Sequence, residues 1–398
     1  MKESKLCLQY SNVHFFRGRV WFVSGTFNSL FSLDLQDLSV RFEKEMPLGG
    51  MDIQGIYPIN AYCSYGSRLF LFPSMCNEVI VYDAEQHSMH EIFLALDDSS
   101  ATYDTAGTIQ CDRFVWMLSR KVSQGIFKLD METLSLERSF ELDKALGDVS
   151  HLYNYDSVVS INNQETAILS EKNTIIGIDS KTQKRIYSRH FDDCIDIWGI
   201  RYNNGSFWLL TYTSTDIYEW NKDEDKLIRY RFLEEDSVEI NGVPYVNIIF
   251  LGEDIIVLPN GLKYIAKIDR GTHSIVRAAA YPEDFRFFDN MGRFPLFYAY
   301  SILNEYKVLL HPLRGNMMLL YDSKKDDMEG MEIVVSDNTF EYISRALIHK
   351  VEKENKIIDE TDIFGLKMLD LLFASGGICM DGKRDKQIGE KIYAFLTG

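Results

Sequence analysis

The chain has 398 residues, 46% of them hydrophobic and 25% charged, with 8 prolines and no low-complexity tract, a composition that excludes a disordered protein. Its 42 basic and 59 acidic residues give a net charge of −17, which sets the surface against nucleic acid and anionic membranes by like-charge repulsion. No stretch reaches the roughly 18 apolar residues that a membrane-spanning helix requires, and MKESKLCLQY at the start carries no apolar run of signal-peptide length.

Six cysteines (Cys7, Cys63, Cys76, Cys111, Cys194 and Cys379) are scattered without C-x-x-C spacing. They read as reduced, mostly buried thiols of a cytoplasmic protein. The 25 Phe and 22 Tyr favour β-structure, where flat rings pack on pleated faces.

The first organised stretch is RVWFVSGTFNSLFSLDLQDLSVRF, from Arg19 to Phe42. It reads as a strand over Val20–Ser24, a loop closing at Asn28, a strand ending at Asp34, a short turn and a third strand. The module returns six more times, anchored at Asp83, Asp130, Asp179, Asn221, Asp269 and Asp322. Near-regular spacing of about this length, with short strands in each repeat, is the pattern of a propeller blade. Upstream of most anchors stands an apolar run, such as VWFVS, LFLFP, FWLLT and IIVLP. A continuous run of this kind predicts a strand buried on both faces.

Two further positions have assigned roles. Asn28, Asn77, Asn173 and Asn316, with Gln124 in the third module, precede the anchor by six residues. Their short amides suit the left-handed region and bonds to nearby backbone. The anchor carboxylate opens a hairpin and is expected to accept a backbone N–H two or three residues on, a structural role and not a catalytic one. Innermost strands are expected at Val13–Phe16, Ile59–Ser64, Gly107–Cys111, Val158–Ile161, Ile195–Tyr202, Val246–Leu251 and Phe297–Leu303. Either Lys5–Gln9 or Met331–Val335 is expected to add a strand to the last blade and so close the circle.

After Asp337 the period changes. Asn338 and Glu341 form a helix-start box before Tyr342, Ile343, Ala346 and Leu347, and further helical patterns run over 362–374 and 385–396. The expected organisation is a propeller over residues 1–337 and a helical segment over 338–398.

The seven modules resemble the blades of the broad kelch, WD-like and quinoprotein-like β-propeller superfamily, in period and strand pattern only. The kelch double glycine, the Gly-His and Trp-Asp dipeptides of WD40 repeats and the sialidase box are absent. The resemblance therefore implies an all-β, seven-bladed propeller of four-stranded antiparallel blades, and no active site comes with it.

In such an architecture ligands meet the loops that lead into each innermost strand. Here those loops carry Asp52, Tyr57, Tyr103, Asp104, Asp148, His151, Asp193, Asp196, Trp198, Asp289 and Arg293. Rings mixed with carboxylates suit the apolar faces and hydroxyls of a sugar, or a cationic peptide. A solvated acidic rim or a protein-docking face accounts for the same residues. Asp52, Tyr57, Asp104, Trp198, Asp289 and Arg293 are the expected ligand-binding residues. As an enzyme, a carbohydrate-active lyase or hydrolase would draw on Asp104, His151 and Asp196. No cofactor is expected, and no metal: His190-Phe-Asp-Asp-Cys194 has no second cluster, and Asn221-x-Asp-x-Asp225 lacks the glycine and glutamate of a calcium loop. The reading from sequence is a non-catalytic binding or scaffold protein with a protein or carbohydrate partner.

Overall fold

A computed structural model describes residues 12–24, 29–47, 59–97, 101–147, 149–152, 157–170, 173–192, 194–212, 214–232, 243–260, 262, 264–285, 297–312, 317–331, 334–336, 338–339 and 342–343. The fold is an all-β propeller. The described strands fall into seven antiparallel meanders of four, each running from an inner strand to an outer one. The inner strands are His14–Phe16, Ile59–Tyr65, Tyr103–Cys111, Val158–Ser160, Ile197–Asn203, Tyr245–Leu251 and Phe297–Asn304. They define units 1 to 7. Every third strand ends on its anchor residue, from Ser29–Asp34 in unit 1 to Met318–Asp322 in unit 7.

The apolar runs behave as expected. Second strands such as Arg19–Ser24, Phe114–Ser119 and Lys307–Pro312 bury five residues in a row. Their side chains fill seven apolar clusters, each between neighbouring units, and one cluster packs Val20, Phe22 and Phe31 of unit 1 against Leu309 and Met318 of unit 7. The packing is therefore cyclic. Inner strands approach closely at Gly107, where a Cβ would lie 2.7 Å from Val158 Cγ2 of the next unit.

The anchor turns follow one plan. Asp83 Oδ1 accepts the N–H of Glu85 at 2.9 Å and of Gln86 at 3.1 Å, and Asn221 Oδ1 accepts those of Asp223 and Glu224 at 3.0 Å. Asp130, Asp179 and Asp269 likewise accept two, while Asp34 accepts the N–H of Gln36 and Asp322 that of Lys324. The residue four after each anchor has φ between 47° and 62°, and none of the seven is glycine. Where an aromatic residue precedes the anchor it ties that position down: Tyr82 to His87, Trp220 to Asp225 and Tyr321 to Asp326. The Asn221 segment is thus a hairpin turn. Hydrogen bonds from Thr182 hold the Asp179 carboxyl below its ordinary range, and those from Thr272 do the same for Asp269.

Three expectations need correction. Asn77, six residues before its anchor, does not adopt positive φ; Asn173 does. Both work at long range: Asn77 Oδ1 accepts the N–H of Tyr103 and Asn173 Oδ1 that of Ile197, each across to the next unit. Second, the closing strand Val334–Val335 pairs in parallel with the outer strand of the first unit, not the last; Met331 ends the outer strand of unit 7. Third, Tyr103 and Asp104 lie in a strand and not a loop, because the inner strand of unit 3 also pairs with Arg68–Cys76 of unit 2 through Ser74↔Asp104 and Cys76↔Tyr103. Residues 5–9, 28 and 316 and the patterns over 362–374 and 385–396 lie outside the described residues.

Asp83→Ala removes two turn hydrogen bonds and a partner of Arg68, and is expected to cost about 1–2 kcal/mol in urea unfolding. Asp83→Asn is expected to cost markedly less, since Asn221 fills the same role at the fifth turn.

Candidate functional site

Antiparallel meanders give the propeller two unlike faces. One, the turn face, carries the hairpins between first and second and between third and outer strands. Those hairpins are short and nearly uniform, such as 17–18 and 35–38 in unit 1. The other, the loop face, carries the segments leading into each inner strand: 46–58, 94–102, 139–157, 191–196, 233–244 and 281–296. Their lengths run from six residues to nineteen, so chemical variety is concentrated there.

Five inner strands also kink where they leave this face. Their registers shift between Ile59 and Ala61, at Thr105–Gly107, and between Ile197 and Gly199, Tyr245 and Asn247, and Phe297 and Ala299. A bulge turns the next side chain out of its regular direction.

Around units 2, 3 and 4 the loop face is woven together by main chain. Ser74 and Cys76 pair with Asp104 and Tyr103. Arg120 N–H donates to the Asp104 carbonyl at 2.8 Å, and Leu152 N–H to the Arg120 carbonyl at 2.9 Å. Lys121 bridges to His151, and Leu152 to Ser170. This rim is fixed by hydrogen bonds running around the ring, in addition to those within each sheet.

Asp104 sits at its centre. Oδ1 accepts from Asn60 Nδ2 at 2.8 Å and from Ser74 Oγ at 3.3 Å, and Oδ2 faces Arg120 Nε at 3.2 Å. Asn60 Nδ2 also reaches the Thr105 carbonyl, and Asn12 Nδ2 donates to the Asn60 carbonyl. Burial pushes the Asp104 carboxyl up from its ordinary value, against the opposing pull of Arg120, Ser74 and Asn60. Across the ring, Arg201 donates from Nε at 3.0 Å and Nη2 at 2.7 Å to Asn247 Oδ1, joining the inner strands of units 5 and 6.

The residues singled out from sequence divide accordingly. Asp104 and His151 are brought to the two sides of the Ser119–Val122 segment, with the His151 ring exposed and in reach of Ser150 Oγ at 3.2 Å. Asp196 belongs to unit 5, where its carbonyl accepts the Tyr212 N–H. Trp198, 7% exposed, packs in the apolar cluster between units 5 and 6, which makes it a core residue. Asp52, Tyr57, Asp148, Asp193, Asp289 and Arg293 lie outside the described residues. His311 is buried against Ser301 Oγ at 2.9 Å, a structural histidine. His190 bonds Thr174 Oγ1, and Asp192 Oδ1 accepts the Cys194 N–H. Among the described residues no three His, Cys, Asp or Glu side chains converge on a point.

Sequence reasoning missed Asn60, Ser74 and Arg120. The available signal was a polar residue where the flanking pattern is apolar: Asn60 inside YPINAY, Arg120 directly after FVWMLS.

No family model and no curated protein matches this chain. Solved structures do. The chain is similar to PorZ, a surface component of the type-IX secretion system of Porphyromonas gingivalis, with TM-score 0.51 and 9% identity over 84% of this chain and 39% of that one. It is similar to the extracellular domain of a putative one-component system of B. thetaiotaomicron, with TM-score 0.53 and 14% identity over 81% and 43%. It spans about two fifths of each. It is also similar to YCF48 bound to D1 peptide, with TM-score 0.53 and 11% identity over 80% of this chain and 94% of that one. At such identities the likeness is one of fold. No helix among the described residues is long and apolar enough to cross a membrane.

Two imidazoles, His311 buried and His14 half-buried, set a pH dependence. Burial lowers His14, stacked on Tyr62 and bonded to Ser64, to about 4, and His311 to about 3. Folding holds both neutral, whereas an unfolded histidine protonates near 6.5. Their contribution is whole above about pH 6.5 and declines as pH falls toward 4, by up to ~1.4 kcal/mol per pH unit for each. Asp104 acts in the opposite sense, gaining stability as pH falls. Urea unfolding between pH 7 and 4.5 is expected to show a falling midpoint, with a shallower slope in His14→Gln.

Proposed function

We propose that this chain is a non-catalytic binding or scaffold protein that holds an extended segment of a protein partner on its loop face, over the rim of units 2 to 4. The observation that carries the reading is the Asp104–Arg120 centre. Its charges are held by Asn60 and Ser74 on strands, and main chain on either side fixes the loops that frame it. A site whose polar groups are held in place loses little entropy on binding. Lys121 and His151 add exposed donors beside it in a chain of net charge −17. The similar propeller YCF48 was solved with a peptide, and that agrees with a peptide segment as ligand. Fixed donors and acceptors also suit the hydroxyls of a glycan, the other class of occupant.

The enzyme reading rests on one observation, the raised carboxyl of Asp104, which a general acid would need. Against it, Arg120 already faces that carboxylate, and Asp196 lies two units away.

Peptides selected by display on the immobilised full chain test the first reading. Arg120→Ala is expected to weaken the retained peptides roughly tenfold or more, because it strands the Asp104 charge, while the turn-face control Gln36→Ala binds as wild type. Equal retention by both variants would place the site elsewhere. Turnover of any member of an oligosaccharide panel, abolished in Asp104→Asn, would favour the enzyme.

A further inference from the structure

Lys121 and His151 stand opposite each other across a short stretch of antiparallel main chain. Leu152 N–H donates to the Arg120 carbonyl at 2.9 Å, and Val122 N–H to the Ser150 carbonyl at 3.0 Å. These bonds flank Lys121 and His151 and make them a non-hydrogen-bonded pair. Such opposed residues are the closest in an antiparallel ladder, with Cα atoms about 4.5 Å apart and side chains on one face. Both residues are exposed. Two basic groups are thus held side by side in a chain of net charge −17.

The main chain beneath the pair is fixed from both sides. Lys121 N–H donates to Ser119 Oγ at 3.2 Å, and the Lys121 carbonyl accepts the Gln124 N–H at 3.0 Å, where a short helical turn over Val122–Gln124 begins. The Gln124 amide is itself tied to Ser119 Oγ and to the Thr102 carbonyl. On the other side Leu152 is buried and bridges to Ser170 of unit 4. Arg120, next in the chain, faces Asp104 with Nε at 3.2 Å, and that carboxylate offsets its charge. The Lys121 charge bears on the same carboxyl alongside that of Arg120, the two opposing the larger effect of burial. Like charges set directly opposite each other cost stability. An anion lying across Lys121 and His151 removes that cost and accepts a charge-assisted hydrogen bond from each.

We infer that Lys121 and His151 form an anion subsite, which takes a carboxylate or phosphate group carried by the partner segment on the loop face. The inference rests on the reading of this rim as the place where that segment lies, and it gives the segment a chemistry. The charge of the whole chain favours cationic ligands. This subsite selects instead a segment that presents an acidic or phosphorylated side chain next to Arg120. Because the main chain under both donors is already fixed, only their side chains are ordered on binding, which keeps the entropic cost small.

Proton NMR of the full chain at constant pH and ionic strength tests the subsite through the imidazole C–H signals of the 8 histidines, with that of His151 identified by its loss in His151→Gln. The probes are inorganic phosphate, N-acetyl-glutamate amide and N-acetyl-phosphoserine amide, with N-acetyl-glutamine amide as the neutral control. The His151 signal is expected to move saturably with the anions in the millimolar range and to stay put with the glutamine probe. The signal of His90, exposed on the outer strand of unit 2, stays put throughout. The tighter of the two amino-acid probes tells whether a carboxylate or a phosphate is the preferred group. Lys121→Met is expected to weaken the anions about threefold or more, and Lys121→Arg to keep them. A His151 signal unmoved by every anion, moved as far by the glutamine probe, or moved equally in Lys121→Met would overturn the subsite. None of these results bears on the loss of selected peptides in Arg120→Ala, so failure of the subsite and failure of the peptide-binding reading are told apart.

Discussion

A four-stranded sheet of this kind has two apolar faces and cannot cover either by itself. The second strands make the point most sharply, with Val20 through Ser24 buried in succession, pointing alternately to opposite sides. Each face must therefore lie against a neighbour, and that neighbour has the same need. Stacking in a line leaves two faces bare at the ends; closing the line into a ring leaves none. The cluster that joins Phe22 and Phe31 to Leu309 and Met318 is that closure. The buried faces, and not the turns or the charges, decide the architecture.

The same requirement explains the difference between the two faces of the propeller. Hairpins on the turn face have only to reverse the chain, and one solution repeats: a carboxylate or amide accepting one or two backbone N–H groups, then a residue at positive φ. Segments on the loop face must carry the chain from the rim back to the axis, and length and composition are free to differ. Polar groups gather where the constraint is loosest, and around units 2 to 4 they are then fixed by lateral main-chain bonds. Asp104 is unusual in having its environment set by three neighbours from two units.

Much of this was legible in the chain because repetition exposes position. The anchor Asp and the apolar run recur, and a local role can be assigned to each from its own neighbours. Six of the seven inner strands were found to within two residues for the same reason, and the seventh, in unit 3, begins four residues before the expected Gly107. What repetition does not expose is a partner far along the chain. Asn77 looked like a turn residue, yet its amide serves the Tyr103 backbone of the next unit. Asp104 looked like a loop residue because nothing in SSATYDTA shows that the strand of unit 2 runs on to Cys76 and pairs with it. Arg120 looked like any cation at the end of a strand, and only the folded chain sets it against the half-buried Asp104 carboxylate. Trp198 was placed with the binding residues because a ring near a loop reads the same as a ring in a seam.

Spin labels on exposed turn residues offer the most direct test of cyclic packing. Labels at Gln36 in unit 1 can be paired in turn with Glu85 in unit 2, Lys181 in unit 4 and Lys325 in unit 7. In a closed ring the 36–325 distance is close to the 36–85 distance, and 36–181 is the longest of the three. A 36–325 distance longer than 36–181 would mean an open array, with two apolar faces left bare, and would contradict the closed ring.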